Sequence, residues 1–319
     1  MSAAPLPAGY DRCNDYTRII VDEALARDVG VVIHDADIGE LTLTHGGHRH
    51  TVIQSLSELT SAIAFRRCDD KAMTRRVLAD AGLPVPAGRV ATSDDEDEAF
   101  LATHGSIVVK PCRGEGGAGI SVGVTDPAAM RSAVESARAT CDQVLLEAMA
   151  PGEDLRVLVI AGEVVAASVR RPPTVVGDGT STIRQLVEAR NDRRAQEAGP
   201  NMVTPLDDLT AACVRNAGHG LDDVLDEGAE LEVRRTANLH TGGTIEDMTQ
   251  HLHPTLAKAA VRGAAVVGLP VAGIDLMVPS PEGPEHVFIE VNEQPGLANH
   301  EPQPTAQRYL DLLFPATCR

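Results

Sequence analysis

The chain has 319 residues, Lys+Arg 28 against Asp+Glu 46, and a formal net charge of -18. That length suits one large domain or two to three small ones, and 43% hydrophobic with 23% charged residues reads as globular, not disordered. The acidity speaks against nucleic acid as a partner, because that binding needs a phosphate-neutralising surface. With Trp 0, Tyr 3 and Phe 4, the chain also lacks the rings of a base-stacking platform.

Residues 1–65 read as a small α/β unit. Thr17 to Ala26 has helical spacing at Ile20, Ala24 and Leu25, and GVVIHDA reads as a strand. ELTLTHGGHRHTVI alternates with period two around Gly46-Gly47, a hairpin signal. Ser55 to Glu58 has the letters of a capping box, which predicts a helix with Leu56, Leu59 and Ile63 on its apolar face. Asp69-Asp70-Lys71 opens a further helix with Met73, Val77 and Ala81 in register, stopped by Gly82. Ser93 caps an acidic first turn, where the helix dipole favours carboxylates.

GSIVVKP is a strand, CRGEGGAGI a glycine-rich loop and ISVGV a second strand. Asp126-Pro127 starts a helix to about Ala139, and CDQVLLEAM is again a strand. DLRVLVIAGEVVAASVRR reads as a hairpin turning at Ala161-Gly162-Glu163. From Pro172 to Glu230 the only clear element is a charged helix after VVGDGTST, with ELEV a strand beyond it. His253-Pro254 starts an amphipathic helix through Val267, ended by Gly268, and the strands VAGIDLMV and EHVFIEVN flank PSPEGPE. This order is a mixed α+β pattern without repeated βαβ units.

The six cysteines show no C-x-x-C spacing, and scattered thiols point to a reducing compartment. The N-terminus has no secretory h-region and no apolar run reaches the ~18–20 residues of a membrane span. The expectation is a cytoplasmic protein without nucleic-acid or membrane partners. His45, His48 and His50 flank the first hairpin and read as solvated, with a weak metal site as the alternative.

Gly114, Gly116 and Gly119 spell G-x-G-x-x-G, but a dinucleotide fold needs a helix after the loop, and here a strand follows. A Walker loop needs Lys after the last glycine, where Ile120 stands. What remains is a β-hairpin lid whose backbone N–H groups cover phosphate oxygens, with Lys110 adding positive charge. A mobile surface turn is the bland alternative. Near the C-terminal end, Glu290 and Asn292 lie two apart on a strand and share a face. A hairpin through PSPEGPE brings Asp275 opposite them, an oxygen set suited to Mg²⁺, with a strand-end pair capping loop N–H groups as the alternative.

Together, CDDKAMTRRVLADAGLPVP, IVVKPCRGEGGAGISV, VLLEAMAPGEDLRVLVIAGEVVAA, RTANLHTGGT, AGIDLMV and FIEVNEQPG resemble the ATP-grasp superfamily in its own order. Within it the chain looks like the ATP-grasp portions of cyanophycin synthetase and N-acetylglutaminylglutamine synthetase. Neither the Mur-ligase-like domain of the first nor the acetyltransferase domain of the second is expected here. The resemblance implies an ATP-grasp fold of class α+β, two subdomains gripping ATP behind a small N-terminal unit, divided as 1–65, 66–148 (lid) and 149–319.

By the same resemblance Lys71 and Lys110 meet the α- and β-phosphates, and Arg113, Gly114, Gly116, Gly117 and Gly119 form the lid. Glu147, Ala148, Met149 and Ala150 form the adenine hinge, and Asp154 meets the ribose. Asp275, Glu290 and Asn292 hold Mg²⁺, two ions with Mn²⁺ as a substitute. Arg156, Arg234 and Asn238 hold phosphate or acyl-phosphate oxygens, with Arg235 able to replace Arg234. The implied activity is ATP-dependent amide-bond formation between amino acids or short peptides through an acyl phosphate, glutamine-type substrates leading. Arg170 and Arg171 are candidate carboxylate anchors. The rivals are a small-molecule carboxylate kinase and a non-catalytic nucleotide-binding partner of a separate acetyltransferase. A homo-oligomer is compatible with all three.

Overall fold

The computed structural model describes residues 5–114, 116–198, 202–237 and 239–318. The N-terminal unit holds α1 (Asp15–Ala26), capped by the Asn14 side chain on the Thr17 N–H, and strands β1 (Gly30–Asp35), β2 (Glu40–His45), β3 (His48–Ile53) and β4 (Leu56–Ser57). Their sheet runs β1-β2-β3-β4 with every pairing antiparallel, so the helix and strands expected here form a meander accompanied by α1. The capping-box helix at Ser55 is also overturned. The Ser55 hydroxyl donates to the Pro295 carbonyl at 2.7 Å, the segment forms β4, and Leu59 and Ile63 are exposed. The helix α2 (Ala62–Asp69) starts later, with Ser61 as its cap.

Helix α3 (Lys71–Asp80) follows at once, its N-terminus capped by the Asp70 carboxylate on the Met73 N–H. Its buried residues are Lys71, Thr74 and Leu78, so the core stripe is offset from the expected Met73, Val77 and Ala81. Burying Lys71 is costly without partners, and the partners it has define the site below.

The lid is a four-stranded antiparallel sheet in the order β5-β8-β6-β7. Its strands are β5 (Gly88–Val90), β6 (Ile107–Pro111), β7 (Ser121–Val124) and β8 (Val144–Ala148), backed by α4 (Asp94–His104) and α5 (Pro127–Arg138). The base is a five-stranded sheet in the order β13-β10-β9-β14-β15. It comprises β9 (Glu153–Ile160), β10 (Glu163–Arg171), β13 (Thr244–Asp247), β14 (Val271–Val278) and β15 (Val287–Asn292). Helix α8 (Pro254–Val267) packs on it and ends at Gly268 in a left-handed conformation, as its sequence predicts. Between β10 and β13 lies an insertion with its own small core, made of β11 (Thr174–Val176), α6 (Ile183–Ala198), α7 (Asp208–Asn216) and β12 (Glu230–Glu232). Helix α9 (Thr305–Leu313) closes the fold against α1.

Shared cores tie these parts together unequally. Ile20, Leu41 and Leu43 of the N-terminal unit pack with Leu158, Ile160, Tyr309 and Leu310. Ala64, Cys68 and Leu78 pack with Leu155, Val157 and Phe288. Helices α2 and α3 therefore join the base, although the boundary read at residue 66 puts most of them with the lid. No helix among the described residues is long and apolar enough to cross a membrane.

Candidate active site

Strand register places the acidic residues. Asp275 lies opposite Glu290 on one side and opposite Arg156 on the other, and Gly273 lies opposite Asn292. The hairpin expected from PSPEGPE thus forms with the expected pairing. Asp154 lies opposite Arg170 in the neighbouring row.

These rows form a lattice of a buried carboxylate, Asp275, a half-buried one, Asp154, and two arginines. Arg156 grips Asp275 with two nitrogens, Nε on Oδ1 and Nη2 on Oδ2, the second at 3.0 Å. Arg170 Nη2 reaches Asp275 Oδ2 at 3.1 Å and Asp154 Oδ1 at 2.6 Å. Burial alone would raise the pKa of Asp275, but the Arg156 and Arg170 guanidiniums outweigh it and hold the carboxyl below its ordinary range. Asp154 moves the other way: burial raises it, Arg170 opposes, and the adjacent Asp275 charge adds to the rise. A ribose contact from Asp154 would have to share its carboxylate with Arg170. The anchors read at Arg170 and Arg171 are likewise committed, Arg171 to Glu153 at 3.2 Å and Glu246 at 2.8 Å.

His300 sits beside this lattice and was missed in the sequence, where nothing marks it. Burial, then the nearby charges of Arg156 and Arg170, lower its pKa to about 4. The folded state therefore excludes a proton that the unfolded chain accepts below about 6.5. Stability is lost as pH falls through that window, by roughly 2 kcal/mol between pH 7 and pH 5. Urea midpoints of the wild type and His300→Gln at both pH values should show this: the variant loses that increment of acid sensitivity, and parallel profiles would contradict it.

Lys71 links the lid to the base. Its Nζ donates to the Gly114 carbonyl at 2.8 Å and lies 3.2 Å from Glu290 Oε1. The glycine loop is thereby held over the carboxylate strand. Gly114, Gly116, Gly117 and Gly119 all have φ between 65 and 130, a region side chains rarely adopt. Arg113 leans on Asp70 at 3.4 Å and Asp69 at 3.6 Å.

Lys110 and Glu147 form a buried pair, Nζ to Oε2 at 2.5 Å, with Arg75 Nε 3.8 Å from Oε1. Glu147, read as an adenine contact, thus spends its carboxylate on Lys110. Gly88, opposite Glu147, leaves room for this: a Cβ there would lie 2.8 Å from Arg75 Nε and 2.9 Å from the Leu146 carbonyl. In the hinge, the Ala148 N–H bonds to Ala87 O and the Met149 N–H to Ser106 O. The Met149 side chain is exposed.

Arg234 corrects another expectation. It is buried in the insertion, donating to the Thr210 hydroxyl at 3.0 Å and pairing with Asp207. Arg235 instead reaches the lid, its Nη1 standing 2.7 Å from where a Cβ on Gly123 would be. Asn238 lies outside the described residues. Two arginines of α6, unmarked in sequence, brace the following loop: Arg190 donates to the Gly242 carbonyl at 2.6 Å and Arg194 to the Gly243 carbonyl at 2.9 Å.

A cavity of about 650 Å³ opens here, lined among others by Gln54, Cys68, Lys71, Gly116, Glu290 and Gln294. Burial, reinforced by the charges of Glu293 and Glu290, pushes the Cys68 thiol far up, so it is no nucleophile. The histidines of the first hairpin gather no metal set: His50 bonds Glu58 at 3.0 Å and stacks edge-on against Phe314. Among the described residues no group of three or more His, Cys, Asp or Glu could hold an ion. The Asp275, Glu290 and Asn292 set offers two carboxylates and an amide, hard oxygen donors that fit Mg²⁺. Both carboxylates are now held by cations, Asp275 by arginines and Glu290 by Lys71.

Two antiparallel sheets closing a glycine loop and a lysine over a carboxylate strand define a nucleotide-gripping fold. The prokaryotic glutathione synthetase ATP-grasp domain matches residues 79–193, and the RimK-like ATP-grasp domain matches residues 227–306. The chain belongs to the ATP-grasp superfamily. It is 34% identical over 316 residues to cyanophycin synthetase of Geminocystis herdmanii, covering 94% of this chain and 36% of that protein. It is 30% identical over 328 residues to the glutathione biosynthesis bifunctional protein GshAB of Streptococcus thermophilus, covering 96% and 43%. The chain thus spans well under half the length of these relatives. A bifunctional glutathione synthetase from Pasteurella multocida superposes with TM-score 0.67 at 25% identity, over 96% of this chain and 44% of the other. The D-alanine–D-alanine ligase of Bacillus anthracis shares the fold, with TM-score 0.51 at 14% identity over 81% and 70%.

Proposed function

We propose that the chain is an ATP-dependent carboxylate–amine ligase that joins amino acids or short peptides and releases ADP and phosphate. The observation that carries this reading is the convergence of Lys71 on both the Gly114 carbonyl and Glu290. It sets a cation and a glycine loop against an oxygen-rich strand, the arrangement a transferring phosphoryl group requires. Lys71 and Lys110 bind phosphate oxygens, and Gly114 to Gly119 exclude water that would hydrolyse an acyl phosphate. Ala150 and the hinge carbonyls take the adenine edge, since the Ala148 and Met149 N–H groups are engaged. Asp275, Glu290 and Asn292 hold Mg²⁺, which when bound neutralises charge on the β- and γ-phosphate oxygens. Arg156 leans on Asp275 beside that set, and Arg235, not Arg234, stands against Gly123 of the lid.

In this reading the substrate carboxylate takes the γ-phosphoryl group, the amine attacks the acyl carbon, and phosphate leaves. The test is a screen of amino acids and dipeptides for ADP release. ADP and phosphate in an amine-dependent reaction are expected. AMP and pyrophosphate would overturn the acyl-phosphate route, and a released phosphorylated acid with no amine requirement would identify a kinase.

A further inference from the structure

Asp275 grips one edge of the Arg156 guanidinium, through Nε and Nη2. The other edge meets a residue without a side chain. Gly273 stands directly opposite Leu158 in the β9–β14 pairing, which makes it the diagonal neighbour of Arg156. Residues two apart on a strand share a face, so Gly273, Asp275 and Arg156 look out together. A Cβ on Gly273 would lie 3.0 Å from Arg156 Nη1 and 3.4 Å from Arg156 Cδ. It would also lie 3.0 Å from Pro295 Cβ. The φ of Gly273 is outside the left-handed region, so space, not backbone freedom, accounts for the glycine. The guanidinium lies over bare backbone, with Pro295 alongside.

Neither neighbour is free to step aside. Arg156 is tied by two nitrogens to a buried carboxylate. The Pro295 carbonyl accepts the buried Ser55 hydroxyl at 2.7 Å. The next residue is covered by the same N-terminal unit: a Cβ on Gly296 would lie 2.7 Å from Tyr16 Cε1. The Tyr16 hydroxyl then donates to Asn299 Oδ1 at 3.0 Å. Ser55 and Tyr16 thus hold the turn that follows Asn292, and that turn backs Arg156. A guanidinium carries five N–H donors in one rigid plane. Two of them meet Asp275, so the tilt of the plane sets where the other three point. A misplacement of ~1 Å can lower a rate about a hundredfold.

We propose that Gly273 and Ser55 are positioning residues for Arg156, Gly273 by leaving room for the guanidinium and Ser55 by holding Pro295 beside it. The N-terminal unit thereby sets the aim of a cation on the base sheet. The effect on turnover rests on the ligase reading, in which Arg156 holds phosphate or acyl-phosphate oxygens. The experiment follows the arginine Nε–H signals of the full chain by nitrogen-resolved NMR, without nucleotide. Arg156→Lys assigns the Arg156 signal by removing it. In the wild type that proton should exchange slowly with solvent, because Nε donates to a buried carboxylate. Gly273→Ala should speed the exchange about tenfold and Ser55→Ala about threefold, as local opening becomes easier. Arg27 is the internal standard, buried and donating from Nε to Glu23 at 2.6 Å, and its exchange should not change.

In parallel, Gly273→Ala should lower kcat for ADP release about tenfold with KM for ATP unchanged. A wild type that releases no ADP with any amino acid would remove the ligase reading, yet faster exchange at Arg156 in both variants would still support the positioning. If Gly273→Ala also exposes Arg27, it has lost its fold, and Ser55→Ala decides. Wild-type exchange at Arg156 in Ser55→Ala, or in a folded Gly273→Ala, would overturn the proposal.

Discussion

Replacing Glu290 by Gln is expected to abolish most substrate-dependent ADP release while leaving the fold intact. The side chain keeps its shape and loses only its charge. It is partly exposed, and it forms an ion pair with Lys71 at 3.2 Å. The stability change should stay near 0.5 kcal/mol, as for most substitutions outside the core. Turnover should fall about a hundredfold or more, the scale of losing one electrostatic partner of a developing charge. Steady-state assays beside urea melts separate the two effects. Near-normal turnover would remove Glu290 from the chemistry.

Lys110→Met should damage both stability and nucleotide affinity, and a second substitution should separate them. Lys110 and Glu147 are buried, and without Lys110 the glutamate would keep Arg75, 3.8 Å away. Breaking one side of a buried pair costs about 3–5 kcal/mol. Replacing both residues, as in Lys110→Met with Glu147→Leu, removes the stranded charge and should recover most of that loss. The double variant should still bind an ATP analogue at least about tenfold more weakly, because the cation is gone. If calorimetry shows wild-type affinity in the double variant, Lys110 has no phosphate role.

Local signals made much of this legible. The pairing of Asp275 with Glu290 followed from strand alternation and a short turn, both readable within twenty residues. Helix α8 carried its own start and stop in His253-Pro254 and Gly268. Helix α9 was missed although Ala306, Tyr309, Leu310 and Leu313 repeat with helical spacing and are buried. What failed depended on distant partners. Ser55 looks like a cap until Pro295, 240 residues on, takes its hydroxyl. Arg234 and Arg235 are indistinguishable as letters, and only the position of Asp207 decides which is buried. Glu147 and Asp154 carry the right chemistry at the right spacing, but their arginine and lysine partners come from other elements.

The unequal sharing of cores has a mechanical consequence. The lid's apolar interior is built from residues 91–146, whereas the N-terminal meander and the five-stranded sheet are cemented through Leu158, Ile160, Tyr309 and Leu310. Glu290 therefore belongs to an anvil, and the glycine loop rides on a jaw with an apolar core of its own, tied to the anvil by polar contacts such as Lys71 to the Gly114 carbonyl. Under the proposed ligase reading, changes that break the polar ties between jaw and anvil are expected to speed nucleotide release while leaving the apolar packing of both parts intact.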